Sequence, residues 1–236
     1  MHIGKLGPHG TFLFGENMEI KVNGVTLYYE KKGFGKPLIM LHGNGESHEI
    51  FDVLSEPLKK DFEVYLIDSR CHGKSEKHVE ISYELMAEDM RSFIKVLSIE
   101  KPMLFGFSDG GITGLLLAIK DKNLLGGLMI AGANYTKDGF TMEALKEMQT
   151  YYQKTQDPLY KMMLHEPNIT HDALESIQTK TYIFVGSDDM IKLSHTKSLH
   201  AHIKDSKLNI LKGHNHYDYV VHNDVLKTYI IKYLKK

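Results

Sequence analysis

Cysteine is nearly missing from this chain: Cys71 is the only one among 236 residues. That excludes an intrachain disulfide framework and a cysteine-built metal cluster, and it suits a reducing compartment, the cytoplasm. An excess of charge is missing as well. Lysine and arginine number 29 against 30 aspartate and glutamate, for a formal net charge of −1. This argues against nucleic-acid or anionic-membrane partners drawn in by a global basic field. No apolar run approaches the roughly 20 residues that span a bilayer; the longest, Leu124 to Ala133, is interrupted by Gly126, Gly127 and Gly132. The opening MHIGKLGPHGTFLFGEN lacks the charged-then-apolar layout of a secretory signal, and there is no internal repeat or low-complexity tract.

What is present is ordinary globular material, 42% hydrophobic and 25% charged, in a length that fits one large domain or two small ones. A chain of this size buries about 70% of its unfolded surface, enough for a full core. The unusual entry in the composition is histidine, with 14 copies. Residues 1–17 show no period and read as a loose extension, with Met18 as the natural start of a single domain over 18–236.

From Met18 the chain alternates strands and helices. MEIKVNG and VTLYYEKKG read as a hairpin turning at Asn23-Gly24. Short apolar runs follow at 37–43, 62–69, 101–108, 126–132, 181–187 and 207–213. They are apolar on both faces, the pattern of a parallel sheet covered on each side. Helical periodicity links them: Met86, Met90, Phe93, Ile94 and Leu97 recur over 82–98, with Ser82 placed to cap, and Val225, Leu226, Tyr229, Ile230, Tyr233 and Leu234 repeat the pattern near the C-terminus. The expectation is an open, doubly wound α/β sheet. Residues 136–180 break the rhythm. This stretch is too long for a simple connection, carries helical patterns broken by Pro158 and Pro167, and reads as a small helical cap.

Gly106-Phe107-Ser108-Asp109-Gly110 is a G-x-S-x-G sequence with a predicted strand before it and a predicted helix after it, the setting of a nucleophile elbow. The flanking glycines let strand and helix approach without a Cβ clash, and the helix N-terminus faces developing negative charge. His42-Gly43-Asn44-Gly45 follows the first long apolar strand. Such H-G-x-G loops supply an oxyanion-hole N–H, here that of Asn44, and the residue after the nucleophile, Asp109, supplies the other. Asp188 and Asp189 follow the strand at 181–187; His214 and His216 follow the one at 207–213. Serine, then acid, then histidine is the order of an acyl-transfer triad on an α/β sheet.

LHGNG, DSRCHGKS, GFSDGG and the pair GSDDMI and GHNH together resemble the α/β-hydrolase superfamily, in its serine esterase and haloperoxidase-like branch, over residues 19–236. The resemblance implies a mostly parallel eight-stranded sheet flanked by helices, with a short helical cap at about 136–180. It implies Ser108 as nucleophile, Asp189 (three after Gly186) as the acid in preference to Asp188, and His216 (three after Gly213) as the base in preference to His214. Cys71 departs from the glycine usual in the family's D-x-R-G-H-G-x-S segment, at a structural turn rather than in the triad. The implied reaction is hydrolysis of a small or medium carboxylic ester through an acyl-enzyme, with a small-molecule acyl substrate and no cofactor or metal. A C–C bond hydrolase of diketones and a non-catalytic ligand receptor use the same scaffold. Serine in the elbow argues against the dehalogenase and epoxide-hydrolase branches, which place aspartate there.

Other residues invite competing readings. His214-Asn215-His216-Tyr217-Asp218 spells H-x-H-x-D, a metallo-hydrolase pattern, but it lies near the C-terminus instead of after an early strand. His195, His200 and His202 read as exposed or capping residues of a helix over 193–204, and His72 as a structural hydrogen-bonding residue. Met142, Met148, Met162 and Met163 either line an apolar pocket or seat the cap. Oligomeric state leaves no signature in the sequence.

Overall fold

The computed structural model describes residues 16–235, with side chains from residue 18 onward. Residues 1–15, and with them most of the expected extension, lie outside the described residues. The first strand, β1 (Glu16–Val22), begins two residues before Met18 because it continues its antiparallel register with β2 (Val25–Gly33), from Val22 opposite Val25 out to Glu16 opposite Lys31. The turn between them uses positive φ at both Asn23 (46°) and Gly24 (82°), as a tight right-twisting hairpin requires.

Six parallel strands follow: β3 (Lys36–Leu41), β4 (Phe62–Ile67), β5 (Met103–Phe107), β6 (Gly127–Ala131), β7 (Thr181–Gly186) and β8 (Ser206–Leu211). Their order in the single eight-stranded sheet is β1-β2-β4-β3-β5-β6-β7-β8, with antiparallel pairing confined to the β1–β2–β4 edge. The sheet is therefore mostly parallel, as expected. The apolar runs overshoot these strands at their C-terminal ends. His42, Gly43, Ser108 and Gly132 have left the ladder, because loops at that edge turn away to build a crevice.

Alternation along each strand divides the core in two. Leu104 of β5 and Leu128 and Ile130 of β6 face α2 (Tyr83–Val96) and α3 (Asp109–Lys120). Met103, Phe105, Met129 and Ala131 face α1 (Asp52–Leu58) and the C-terminal helix Lys227–Leu234. Burying each such aliphatic or aromatic side chain contributes about 1.5–3 kcal/mol. Ser82 caps α2, its hydroxyl accepting the Leu85 N–H at 3.1 Å.

Between β6 and β7 lie α4 (Met142–Thr155), α5 (Pro158–His165) and α6 (His171–Glu175). Ala144, Met148 and Met163 form a third apolar cluster with Phe140 and Ile191, above the main core. The entry to this cap is clasped to the loop after β7: Phe140 bridges Ile191, Thr141 N–H donates to Met190 O at 2.8 Å, and Lys192 N–H donates to Gly139 O at 2.8 Å. The insertion methionines divide between roles. Met148 and Met163 face the cap cluster, Met162 joins the main core, and Met142 is exposed.

His195, read from sequence as exposed or capping, is buried. It lies in α7 (Leu193–His202), whose inner face packs under the cap. Its ring stacks on Tyr135 with centroids 4.0 Å apart, and its Nε2 accepts the Tyr135 N–H. Burial lowers its pKa to about 4 and keeps it neutral. Among the described residues, no helix is long and apolar enough to cross a membrane.

Candidate active site

Ser108 sits between β5 and α3 with φ 50° and ψ −114°, a strained backbone for a non-glycine residue. The strain is held in place by packing. A Cβ on Gly106 would strike the main chain of Gly110, and one on Gly110 would strike Leu41 O, so neither position tolerates a side chain. Ser108 N–H donates to Ala131 O at 2.8 Å, which ties the turn to β6.

The loops after β7 and β8 bring Asp189 and His216 to this serine. His216 Nε2 lies 3.2 Å from Ser108 Oγ, and His216 Nδ1 lies 2.7 Å from Asp189 Oδ1. The carboxylate fixes the proton on Nδ1 and leaves Nε2 as an acceptor facing the hydroxyl. Both His216 and Asp189 are buried. Asp189 also accepts the Ile191 N–H at 2.9 Å and the Tyr219 hydroxyl at 3.4 Å. Asp188 takes no part in this string; its carboxylate accepts from the Ser187 hydroxyl. His214 pairs with Asp218 at 2.8 Å, so the two histidines of the H-x-H-x-D sequence hold different carboxylates. Gly132, with φ +61°, gives the imidazole its space: a Cβ there would come within 2.7 Å of His216 Cε1.

The H-G-N-G loop is fastened from several sides. His42 is fully buried; its Nδ1–H donates to Gly43 O and its Nε2 accepts the Ser69 N–H. Burial lowers its pKa to about 3, so it stays neutral. Gly110 N–H donates to His42 O at 3.1 Å, joining this loop to the elbow. The Asn44 side-chain amide donates to Asp109 Oδ2 at 2.9 Å, and the Tyr83 hydroxyl donates to Asp109 Oδ1 at 2.7 Å. Burial pushes the Asp109 carboxyl up, against the pull of these two donors. The H-G-N-G loop and the elbow are thus tied together beside Ser108, through the Gly110–His42 main-chain bond and through the Asn44 amide on Asp109.

Sequence reasoning missed Glu46. Its carboxylate accepts the Gly43 N–H at 2.9 Å, and burial pushes its pKa up to about 7. It also missed Tyr83 and Tyr219. Tyr219 was findable as a near neighbour of His216, three residues on in the same turn. Tyr83 and Glu46 carry no local signal, since their roles depend on partners brought in by the fold.

A cavity of about 280 Å³ opens over Ser108 and His216. Gly43, Asn44, Glu46 and Phe107 form its floor; Phe140, Met148, Tyr160 and Met163 from the cap side form its roof, with Glu147 at the rim. A serine hydroxyl within hydrogen-bond reach of a carboxylate-oriented imidazole, beneath an apolar roof, is chemically equipped to attack a carbonyl carbon.

The segment Asp68 to Ser75 supports this edge without lining it. Asp68 is buried, and its carboxylate accepts from His48 Nδ1, His48 N–H and Lys74 N–H, each at 2.7 Å. Burial opposes ionisation there, yet these donors hold the pKa down to about 2. Arg70 forms a buried fork on Asp89 with two contacts of 2.6 Å. Cys71, where the family pattern has glycine, adopts φ 64°.

The family model for the alpha/beta hydrolase fold matches residues 36–160. The human serine hydrolase BPHL is 28% identical over 250 residues, covering 92% of this chain and 86% of that protein. Among solved structures, an esterase from Thermogutta terrifontis superposes with a TM-score of 0.78 at 18% identity, covering 93% of this chain and 98% of the other. A meta-cleavage product hydrolase from Pseudomonas fluorescens IP01 superposes with a TM-score of 0.75 at 17% identity, covering 92% and 97%. With more than half its length matched by the family model and nearly all of it by the shared fold, this chain belongs to the α/β-hydrolase superfamily.

Proposed function

We propose that the protein is a serine carboxylesterase acting on small or medium acyl esters, with Ser108 as nucleophile, His216 as general base and Asp189 as its orienting acid. The observation that carries this reading is the string Asp189–His216–Ser108, with contacts of 2.7 and 3.2 Å, ending beneath a cavity of about 280 Å³. That volume lies at the small end for ligand sites, in keeping with a short acyl group.

In the reaction, His216 Nε2 takes the Ser108 proton as Oγ attacks the ester carbonyl. The main-chain N–H groups of Asn44 and Asp109 stabilise the oxyanion, aided by the N-terminal end of α3. Collapse expels the alcohol, which takes its proton from His216. Water, deprotonated in turn by His216, attacks the acyl-enzyme and releases the carboxylic acid.

The pocket chemistry supports ester hydrolysis over C–C hydrolysis. A relative from Metapseudomonas resinovorans, 28% identical over 119 residues, is named as hydrolysing a hexadienoic acid. Such a substrate is an anion at neutral pH. Among the described residues, those lining this cavity include Glu147 and no lysine or arginine, so no cation there would pair with a substrate carboxylate. The unpaired Cys71 fits a site of action in the reducing cytoplasm.

The test is a panel of p-nitrophenyl esters graded by acyl length, run on the wild type and on Ser108→Ala. A pre-steady-state burst is expected with short chains, and the variant is expected to lose about 10⁴- to 10⁶-fold in kcat. Full turnover by Ser108→Ala would end the reading. Absence of both a burst and fluorophosphonate labelling at Ser108 would favour a ligand receptor on the same scaffold.

A further inference from the structure

We infer that Tyr83 and the side chain of Asn44 are positioning residues: together they grip the buried Asp109 carboxylate and so hold the Asn44 and Asp109 main-chain N–H groups aimed at one point. This rests on the reading of Ser108 as nucleophile and adds a function for three side chains which that reading leaves idle.

Asp109 is 2% exposed, and it stands immediately after the nucleophile. A carboxylate is costly to bury without partners. Among the described residues this one has no cation in hydrogen-bond contact, only two neutral donors, one on each oxygen: the Tyr83 hydroxyl at 2.7 Å and the Asn44 amide at 2.9 Å. The donors come from different places, Tyr83 from the first turn of α2 and Asn44 from the loop after β3. The carboxylate is thus a junction between three segments, and two of them carry the proposed oxyanion donors. The main-chain bond from Gly110 to His42 runs alongside it, so the elbow and the loop are tied once through the backbone and once through Asp109.

The Tyr83 end is itself anchored. Tyr83 is 1% exposed, and its N–H donates to Glu166 Oε2 at 3.0 Å. A purely space-filling aromatic at this position would need no hydroxyl, and a purely structural carboxylate would be better served by a cation. Oxyanion stabilisation depends on donors held in place before charge develops, and small displacements of catalytic groups are costly in rate. A rigid, charge-centred clamp between the two donor residues meets that requirement.

The test compares Tyr83→Phe, Asn44→Ala and the double variant, with kcat and KM for p-nitrophenyl acetate, Ki for a trifluoromethyl ketone, and thermal midpoints to correct for folded fraction. Each single change is expected to lower kcat by about 10- to 100-fold with KM within twofold. Ki for the ketone, whose adduct places an oxyanion at the same point, rises by the same factor. Because both residues act through one carboxylate, the double variant loses less than the product of the single losses. Retention of kcat within twofold in both single variants, a loss carried by KM alone, or strictly multiplicative losses would each overturn the inference. Asn44→Ala keeps the test open should Tyr83→Phe fold poorly. Ser108→Ala is assayed in parallel: if it retains wild-type turnover, the nucleophile reading falls and the inference with it. If it is inactive while Tyr83→Phe and Asn44→Ala match the wild type, only the positioning role falls.

Discussion

Adding one methyl group at Gly132 tests whether the imidazole position limits the reaction. Gly132 follows β6 at φ +61°, and an alanine Cβ would lie 2.7 Å from His216 Cε1 and 2.9 Å from Nδ1. Ordinary contact begins near 3.4 Å, so the ring must move by about 0.7 Å, with the backbone or the ring giving way. Nε2 is 3.2 Å from Ser108 Oγ, already at the long end of a hydrogen bond, and a shift of that size carries it out of reach. We expect kcat to fall by about 10- to 100-fold. The left-handed backbone adds a cost in stability of about 1–2 kcal/mol. From a typical stability of about 5 kcal/mol or more, the variant remains over ~99% folded, so unfolding does not account for the loss. The assay is p-nitrophenyl acetate turnover beside a urea melt. A Gly132→Ala protein with kcat within threefold of wild type, at any stability, would refute the argument that this glycine reserves the space for His216.

Two further predictions concern stability. Glu46 has its pKa raised from 4.5 to about 7, chiefly by burial. The folded state therefore holds its proton where the unfolded state has lost it, and stability falls as pH rises from about 4.5 to 7. Glu46→Gln keeps an acceptor for the Gly43 N–H and removes this dependence; urea melts should show a flatter profile and a gain of up to about 3 kcal/mol at pH 8. An unchanged slope would show that Glu46 does not carry it. Cys71 pays for a left-handed backbone that glycine adopts freely, so Cys71→Gly should raise stability by about 0.5–1 kcal/mol and the thermal midpoint by a few degrees, despite losing the thiol contact to Val79 O at 3.3 Å. A fall in midpoint would show that this contact outweighs the strain.

The readable parts of this molecule are those in which chemistry and local structure share a short stretch of chain. The elbow announces itself because a serine between glycines sits where an apolar strand changes to a helical period, and the Asn23-Gly24 turn does so through two residues that tolerate positive φ. Strand existence was legible from apolar runs, but strand ends were not, because His42, Ser108 and Gly132 are as compatible with extended backbone as their neighbours until loops pull them away. His195 gives a different lesson: its helix has little amphipathic contrast, and the partners that bury the ring, Tyr135 and Gly139 at the entry to the cap, come from a distant stretch of chain. Tyr83, Asn44 and Asp109 meet across separations of 26 and 65 residues. No local pattern marks such a junction, since burial of the carboxylate is a consequence of the assembled fold.

The clasp between residues 139–141 and 190–192 bears on how caps of this kind can be exchanged. Its main-chain bonds fasten the start of the cap to the same short loop that presents Asp189. Residues up to Thr141 therefore answer to two demands at once, while α4 and α5 mainly line the cavity over Ser108. A graft meant to import another protein's selectivity should begin at Met142, leaving Gly139 to Thr141 with the recipient. A junction placed only a few residues earlier would alter the seating of Asp189 along with the pocket.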